Sequence, residues 1–455
     1  MVNDLNVPQS SLNFLPGVET QGGSSLSRID VFVAPKPNPA LIRAMTSVNR
    51  IVMLRGIPGF RDILPFNRLA GLRGVANVRH IDFPHADLER LRASCGAGKA
   101  TFITPNHPEF FTDWMIDKEI VSQVSPLAAS WATNGVVNGL GRLMQKFWLA
   151  NNLIAQIPGN SAAAKEHSVA WALKGHGVLL HPEGGVGWHA DIVAPLLPGA
   201  VEMGLEALNR GRAADPDFQV WIAPVVWKLA FTRNVETALA KECTYVEKSL
   251  KIEHHATDTL PQRIHHIYST LLARDEAAWG LSSNEGATYA ERQKALVAKL
   301  GRRLGESIAV DTVVTDDLLR RARRWQRENT GDAERQKKVR ALADTIQRLQ
   351  RVGPWASANP RITPEEIAEH LKRIRNDYCK GGLRDTMNRF IPQPAGPRRA
   401  HIRVPDPLGL HEYAGSVDDA VAELHRRMQD TVASTVAELA ATGSFIFYPN
   451  PFYRH

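Results

Sequence analysis

Cysteine is scarce in this sequence of 455 residues, which contains only Cys95, Cys243 and Cys379. Three scattered cysteines are too few for a disulfide framework, and none has a partner at metal-ligand spacing. A reducing compartment such as the cytoplasm fits this composition best. Hydrophobic residues make up 44% and charged residues 22% of the chain, which excludes wholesale disorder and a collagen-like protein.

Long apolar runs are also missing. The most apolar segment extends from Val220 to Phe231 and is interrupted by Pro224 and Lys228. No segment approaches the ~18–20 apolar residues that a spanning helix needs. The first residues lack the basic start and the apolar run of a signal peptide. We therefore expect a chain that is soluble or lies on a membrane surface.

Acidic residues are fewer than basic ones, at 47 against 55, which gives a formal net charge of +8. This balance favours an anionic partner, whether phospholipid head groups, nucleic acid or a phosphorylated substrate. Much of the surplus lies between Asp316 and Arg351, with eleven Lys and Arg against six Asp and Glu. The segment also carries a predicted apolar seam, formed by Val339, Leu342, Ile346 and Leu349.

Two interpretations of this basic segment stay open. One is a long amphipathic hairpin with a solvated basic face. The other is a surface that docks on anionic lipid, to which each nearby basic residue contributes about 1 kcal/mol.

The order of sequence patterns predicts an α/β fold with a mixed, largely parallel sheet flanked by helices. Over residues 76–235, short strand-like runs alternate with helical periodicity, which is typical of such a domain. Strand and helix patterns return over 398–442. Residues 236–397 are helical and basic and predict a large all-α insertion. The remaining regions are a loose polar arm (1–27), an N-terminal helical segment (28–75) and a C-terminal tail (443–455).

The N-terminal helical segment has apolar residues at helical spacing among arginines. The apolar positions are Leu41, Met45, Val48, Ile51 and Leu54, and the arginines are Arg43, Arg50 and Arg55. One interpretation is a basic amphipathic helix that lies in a membrane interface. The other is a helix packed on the core.

The segment from Thr101 to Trp114 combines a strand with polar residues that suit proton transfer. A predicted strand ends at Pro105, His107 follows on the loop, and Asp113 begins the next helix. A carboxylate that accepts from one ring nitrogen fixes the tautomer and leaves the other nitrogen able to take a proton. The structural alternative is that Asp113 interacts with the helix N-terminus and His107 bonds to the backbone.

A second segment, from Leu179 to Gly187, ends a strand in Pro182-Glu183-Gly184-Gly185. Two glycines allow backbone amides to turn toward a ligand, as in anion-binding loops. An ordinary turn is the alternative.

Together and in this order, the two segments resemble the glycerolipid acyltransferase superfamily, in particular the lysophosphatidic acid acyltransferase (PlsC-like) group. That family has Asn-His, four residues and Asp, then Phe-Pro-Glu-Gly-Thr-Arg, a Lys-x-Gly-Ala helix start and an apolar strand with Pro-Val. The counterparts here are Asn106-His107 with Asp113, His181-Pro182-Glu183-Gly184-Gly185, Pro198-Gly199-Ala200, and Ile222-Ala223-Pro224-Val225-Val226. The resemblance covers about 75–235 and 398–442, the predicted acyltransferase domain.

The resemblance implies acyl transfer from acyl-CoA or acyl carrier protein to the hydroxyl of a lysophospholipid or a glycerol-phosphate-type acceptor. It implies His107 as general base and Asp113 as the residue that orients it, without a metal or another cofactor. Substrate-binding roles fall to Asn106, Glu183, Gly184 and Gly185, whose amides would position the acceptor or stabilise an oxyanion. The protein would be cytoplasmic and peripherally attached to an anionic membrane surface.

The sequence departs from the family pattern at several positions. Five residues rather than four separate His107 from Asp113, and Glu109 is the nearby alternative carboxylate. The cations that would hold an acceptor phosphate are replaced, since Gly185-Val186 stands for Thr-Arg. Trp188 and His189 stand where a phosphate-binding arginine is expected, and either line a less charged acceptor pocket or merely pack.

These departures leave two other classes of function open. One is acyl transfer to a non-phosphorylated acceptor, such as an aminoacyl lipid or a glycolipid. The other is a catalytically degenerate protein that binds lipid or, less in keeping with the motifs, nucleic acid. The adjacent pairs His254-His255 and His265-His266 predict no metal site, because neighbouring helix residues point to different faces.

Overall fold

The structure is a computed structural model, and its described residues fall into two compact units. The sheet unit comprises Met1–Arg233 and Arg389–Phe445, and the helical unit comprises Asn234–Asn388 and Ile446–His455. The described residues are 31–59, 75–109, 112–157, 161–185, 191–254, 257–281, 286–311, 315–329, 331–350, 352, 356, 359–379, 385, 395–443 and 446–453. The predicted arm 1–27, most of 60–75, and Trp188 and His189 lie outside them.

The strands, in chain order, are β1 (Val78–Asp82), β2 (Lys99–Pro105), β3 (Ala129–Thr133), β4 (Leu153–Gln156), β5 (Val178–Leu179), β6 (Gln219–Phe231), β7 (Arg361–Ile362), β8 (Arg398–Arg403), β9 (Leu408–Gly409) and β10 (Tyr448–Pro449).

The helices, in chain order, are α1 (Pro39–Val48), which continues as a π-helical segment (Asn49–Arg55), α2 (His85–Ala93), α3 (Asp113–Val124), α4 (Asn134–Val137), α5 (Gly141–Ala150), α6 (Ala162–Ala172), α7 (Gly199–Ala214), α8 (Glu236–Leu250), α9 (Leu260–Ala278), α10 (Tyr289–Ile308), α11 (Thr315–Glu328), α12 (Ala333–Gln350), α13 (Pro364–Tyr378) and α14 (Val417–Ala441).

The sheet unit is built on an eight-stranded sheet in the order β1-β8-β6-β2-β5-β3-β4, with β9 also paired to β6. The pairs β2–β6, β2–β5, β3–β5, β3–β4 and β1–β8 are parallel. The pairs β6–β8 and β6–β9 are antiparallel. The predicted α/β class with a mixed, largely parallel sheet is therefore confirmed.

The central strands are apolar along their length because helices cover both faces of the sheet. Alternation of side chains sends Phe102 and Ile222 to the core under α7 and α14. It sends Ile103 and Trp227 to the opposite core, beside α3. Strands β2 and β6 are thereby fixed in the middle of the sheet, and the loop after β2 leaves from its carboxyl edge.

The helix α1 and its π-helical extension pack on the core, as one of the two interpretations of the N-terminal helical segment predicted. Ile42 and Leu54 are buried, whereas Val48 and Ile51 are 40% and 48% exposed. The Asn49 side chain donates to the carbonyl oxygen of Met115 at 2.8 Å and ties the segment to α3. One face thus packs on the core while apolar side chains remain exposed on another.

The helical unit contains α8 to α13 and a short antiparallel pair of β7 with β10. The predicted seam of α12 is buried and packs against Leu296, Leu300 and Leu304 of α10, which supports the amphipathic hairpin. The all-α prediction missed β7, because a two-residue strand leaves no periodic pattern. The predicted tail 443–455 supplies β10 to the same pair.

Within the described ranges, every helix is too short or too polar to cross a membrane.

Candidate active site

Two parallel neighbouring strands bring the predicted motifs together. Strand β2 ends at Pro105 and β5 at Leu179, and Ile103 pairs with Leu179 in register. Ligand sites of open α/β sheets lie at the carboxyl ends of such strands. His107 and the Pro182-Glu183-Gly184 turn therefore leave the sheet at the same edge.

Asn106 anchors the start of the loop to β6. Its side chain accepts from the Trp227 amide at 2.8 Å and donates to the Trp227 carbonyl oxygen at 3.2 Å. The residue is 3% exposed. Because the backbone of β6 uses both ends of the amide, Asn106 positions the loop, whereas the sequence suggested a contact to substrate.

His107 and Asp113 meet despite the five-residue spacing. Their Nε2 and Oδ2 atoms lie 2.7 Å apart. Glu109, the alternative carboxylate, accepts from the buried Arg398 guanidinium at 2.7 and 3.0 Å. The other Asp113 oxygen accepts from the Trp114 amide at 2.8 Å, so the carboxylate is held at the first turn of α3.

This contact determines the tautomer of His107. An ionised carboxylate only accepts hydrogen bonds, so Nε2 carries the proton and Nδ1 keeps its lone pair. The Nδ1 atom is buried and makes no hydrogen bond of ordinary geometry among the described residues, although the Gly185 backbone lies close enough to the ring to favour its protonated form. An oriented imidazole with an unused basic nitrogen is the arrangement that general-base catalysis requires.

Glu183 binds the backbone of the loop after β2 rather than facing a ligand. Its two oxygens accept from the backbone amides of His107 at 2.6 Å and Ala194 at 2.9 Å. The residue is 1% exposed. Burial raises the pKa of this carboxyl to about 7, against the lowering effect of the two amides and of the His181 charge. Glu183 therefore fixes the backbone that carries His107.

The glycines after Glu183 have separate roles. Gly184 adopts φ +69°, and a Cβ there would lie 2.4 Å from the Leu197 side chain, so a larger residue is excluded. Its amide donates to the His181 carbonyl oxygen at 3.1 Å. Gly185 is buried, and its backbone lies close to the His107 ring.

A second histidine–aspartate pair lies beside the first. The rings of His107 and His181 stack with centroids 3.9 Å apart and planes inclined by 12°. His181 Nε2 lies 2.9 Å from Asp117 Oδ2. From the sequence, His181 is predicted only as part of the turn, and Asp117 has no predicted role. The available signal was the i, i+4 spacing of Asp113 and Asp117, which places both on one helix face.

The two imidazoles differ in charge. Burial and then the neighbouring His181 charge lower the pKa of His107 to about 4, against the raising effect of Asp113. Burial also disfavours the charged form of His181, but the carboxylates of Asp117, Asp113 and Glu183 outweigh it and raise the pKa to about 9. Near pH 7, His107 is therefore neutral and His181 is a cation.

The geometry does not suit a metal centre, although His107, Asp113 and His181 offer ligand atoms within 4.8 Å of one another. Imidazole binds a metal through a lone pair in the ring plane, at about 2 Å. One ion cannot lie in the planes of two rings stacked 3.9 Å apart. Both nitrogens of His181 are also already hydrogen-bonded.

Three cations near this edge of the sheet pair with carboxylates. Lys228, wholly buried in β6, forms an ion pair with Asp191. Arg398 pairs with Glu109 and Arg50 with Glu119. In the sequence, Lys228 interrupts an apolar run, and a charge in a buried strand is itself a signal of a buried partner.

Comparisons of the chain with protein-family models and with curated protein sequences give no match.

Proposed function

We propose that the protein is an acyltransferase that moves a fatty acyl group from acyl-CoA or acyl carrier protein to the hydroxyl of a lysophospholipid or a glycerol-phosphate-type acceptor at a membrane surface. The observation that carries this proposal is the Nε2–Oδ2 contact of 2.7 Å between His107 and Asp113, together with the unpartnered Nδ1. The resemblance of both motifs to PlsC-like enzymes assigns the reaction class.

In this mechanism, His107 Nδ1 takes the proton of the acceptor hydroxyl as its oxygen attacks the thioester carbonyl carbon. Asp113 holds the imidazolium that forms. We assign the oxyanion to the Gly185 amide, because the Gly184 amide donates to the His181 carbonyl. The C–S bond then breaks, and the leaving thiolate takes the proton from Nδ1.

Exposed apolar side chains beside the site support an amphiphilic acceptor and a membrane surface. Trp114 follows Asp113 directly and is 37% exposed. Val48 and Ile51 are exposed on the segment that the Asn49–Met115 hydrogen bond ties to the start of α3. Apolar side chains of this kind insert into the headgroup boundary of a bilayer, which would bring acceptor lipids next to His107.

A non-phosphorylated acceptor, such as an aminoacyl lipid or a glycolipid, is the second candidate. The observation that favours it is the pairing of Lys228 with Asp191 and of Arg398 with Glu109. A cation that already neutralises a carboxylate has less attraction left for an acceptor phosphate.

The test is thiol release from long-chain acyl-CoA by the purified chain in anionic vesicles, with lysophosphatidic acid, glycerol 3-phosphate, a lyso-glycolipid or an aminoacyl lipid as acceptor. Wild type should release thiol with one acceptor class, and His107→Ala should lower kcat/KM by roughly 10²–10⁴-fold, the usual contribution of a general base.

The matched control is His85→Ala, since that side chain is 85% exposed at the start of α2. Full activity of His107→Ala would refute the proposed mechanism. Vesicle binding without thiol release for any acceptor would instead identify a lipid-binding protein without turnover, and binding of nucleic acid alone would remove both enzyme candidates.

A further inference from the structure

We propose that His181, held by Asp117, is a positioning residue for His107: its stacked ring fixes the plane of the catalytic imidazole, and its charge keeps that imidazole deprotonated. The inference rests on the proposed function, because it assigns His107 the part of general base. It adds a second imidazole at the position where the PlsC-like pattern has phenylalanine.

The hydrogen bonds of His181 indicate that its ring is charged. Nδ1 faces the carbonyl oxygens of Pro105 and Asn106, at 3.2 and 3.1 Å, and Nε2 faces Asp117 Oδ2 at 2.9 Å. Carbonyl and carboxylate oxygens only accept. Each ring nitrogen therefore carries a proton, which makes His181 an imidazolium.

The charges around the ring support the same state. The ionisable groups that face His181 are His107 from the loop after β2, Asp113 and Asp117 from α3, and Glu183 from its own turn. Three carboxyl groups surround one cation, while His107 is neutral. Removing the His181 charge would leave the carboxylates of Asp113 and Asp117 uncompensated in a buried site.

Stacking transmits both effects to His107. Rings 3.9 Å apart and nearly parallel restrict rotation of the His107 ring, so Nδ1 points in one direction. A cation at that distance also opposes a second proton on His107. We therefore expect the base to remain available well below pH 6, where an ordinary histidine is already protonated.

The experiment is a titration of the histidine ring resonances by NMR on the full chain, in wild type, His181→Phe and Asp117→Asn. Loss of a resonance in His107→Ala and in His181→Phe assigns the two signals. The wild-type His107 signal should remain neutral to about pH 5, and the His181 signal should stay protonated to about pH 8. His181→Phe keeps a stacked ring without charge and should raise the His107 titration by about one pH unit or more.

Asp117→Asn retains the imidazole and should lower the His181 titration while raising that of His107. The matched control is His176→Phe, which removes a histidine that stacks on Trp171 and should leave the His107 titration unchanged. An unchanged His107 titration in both site variants would overturn the inference.

The acid limb of kcat/KM separates this inference from the proposed function. Activity requires neutral His107, so it should fall as pH falls through about 4 in wild type, and about one unit or more higher in His181→Phe. Shifted titrations in a protein that transfers no acyl group would remove the proposed function and leave the coupling of the two rings established. An acid limb that does not move in an active variant would overturn the positioning role.

Discussion

Both units bury charged side chains, but the Arg263–Glu247 ion pair of the helical unit and the candidate site of the sheet unit satisfy them differently. In the helical unit, Arg263 forks onto Glu247, with Nε 2.9 Å from Oε1, and joins α9 to α8. In the sheet unit, His107 and Asp117 each keep a buried atom, Nδ1 and Oδ1, without a hydrogen-bond partner in the described part of the chain. Ion pairs also leave single donors unused, as at Arg348 Nε and Arg398 Nε; what distinguishes the candidate catalytic site is an unused basic lone pair on an imidazole that a carboxylate orients.

The largest expected effect tests the structural side of this comparison. Glu247→Ala leaves the Arg263 guanidinium, whose side chain is 9% exposed, without its counter-charge between two helices. Breaking a buried pair in this way costs about 3–5 kcal/mol. Urea unfolding followed by circular dichroism should show a loss of that size, with the His107 titration unchanged.

The control for this variant is Glu306→Ala, at an exposed position of α10. A loss no larger than in this control would mean that the Arg263–Glu247 pair is not structural and would break the comparison.

The second-largest expected effect tests the candidate catalytic site of the sheet unit. Asp113→Asn preserves size but can present its NH₂ group to His107 Nε2, which shifts the ring proton to Nδ1 and removes the basic lone pair. We expect kcat to fall roughly 10²-fold, equivalent to about 2.7 kcal/mol, with little change in the urea midpoint. Thiol release from acyl-CoA measures the first quantity and circular dichroism the second.

Asp430→Asn provides the matched control, because that carboxylate is 64% exposed on α14. Equal activity of the two variants would show that Asp113 does not orient the base.

The sheet and part of the candidate site could be predicted from the sequence alone. Alternation of strands and helices predicted the sheet, and the two motifs predicted that His107 and the Glu183 turn share one edge, because both follow strand ends. The motif also predicted the contact of His107 with Asp113, but the sequence could not exclude Glu109, since that choice depends on Arg398, which occupies Glu109 from the far end of the chain. Pairings over such sequence separations leave no local pattern.

The second histidine–aspartate pair, His181 with Asp117, also has a signal in the sequence. Asp117 follows Asp113 by four residues, and His181 follows β5, the strand next to β2. Helical spacing and strand adjacency together place Asp117 beside His181. The PlsC-like pattern has an apolar residue at the position of His181 and therefore does not predict this pair.

The smallest expected effect tests whether burial or contact geometry makes an Arg–Glu pair stabilise the fold. Arg210 also makes a two-point contact, with its terminal nitrogens 2.7 and 2.8 Å from the two oxygens of Glu166. The two side chains are 40% and 59% exposed, unlike those of Arg263 and Glu247. Exposed pairs contribute little, because water and salt screen them. Glu166→Ala should therefore leave the urea midpoint within error of wild type, at low ionic strength and at about 1 M NaCl. A clear shift of the urea midpoint at low salt that disappears at high salt would show that a two-point contact stabilises the fold without burial. The contrast between Glu247 and Glu166 would then have to be explained by the neighbours of Glu247.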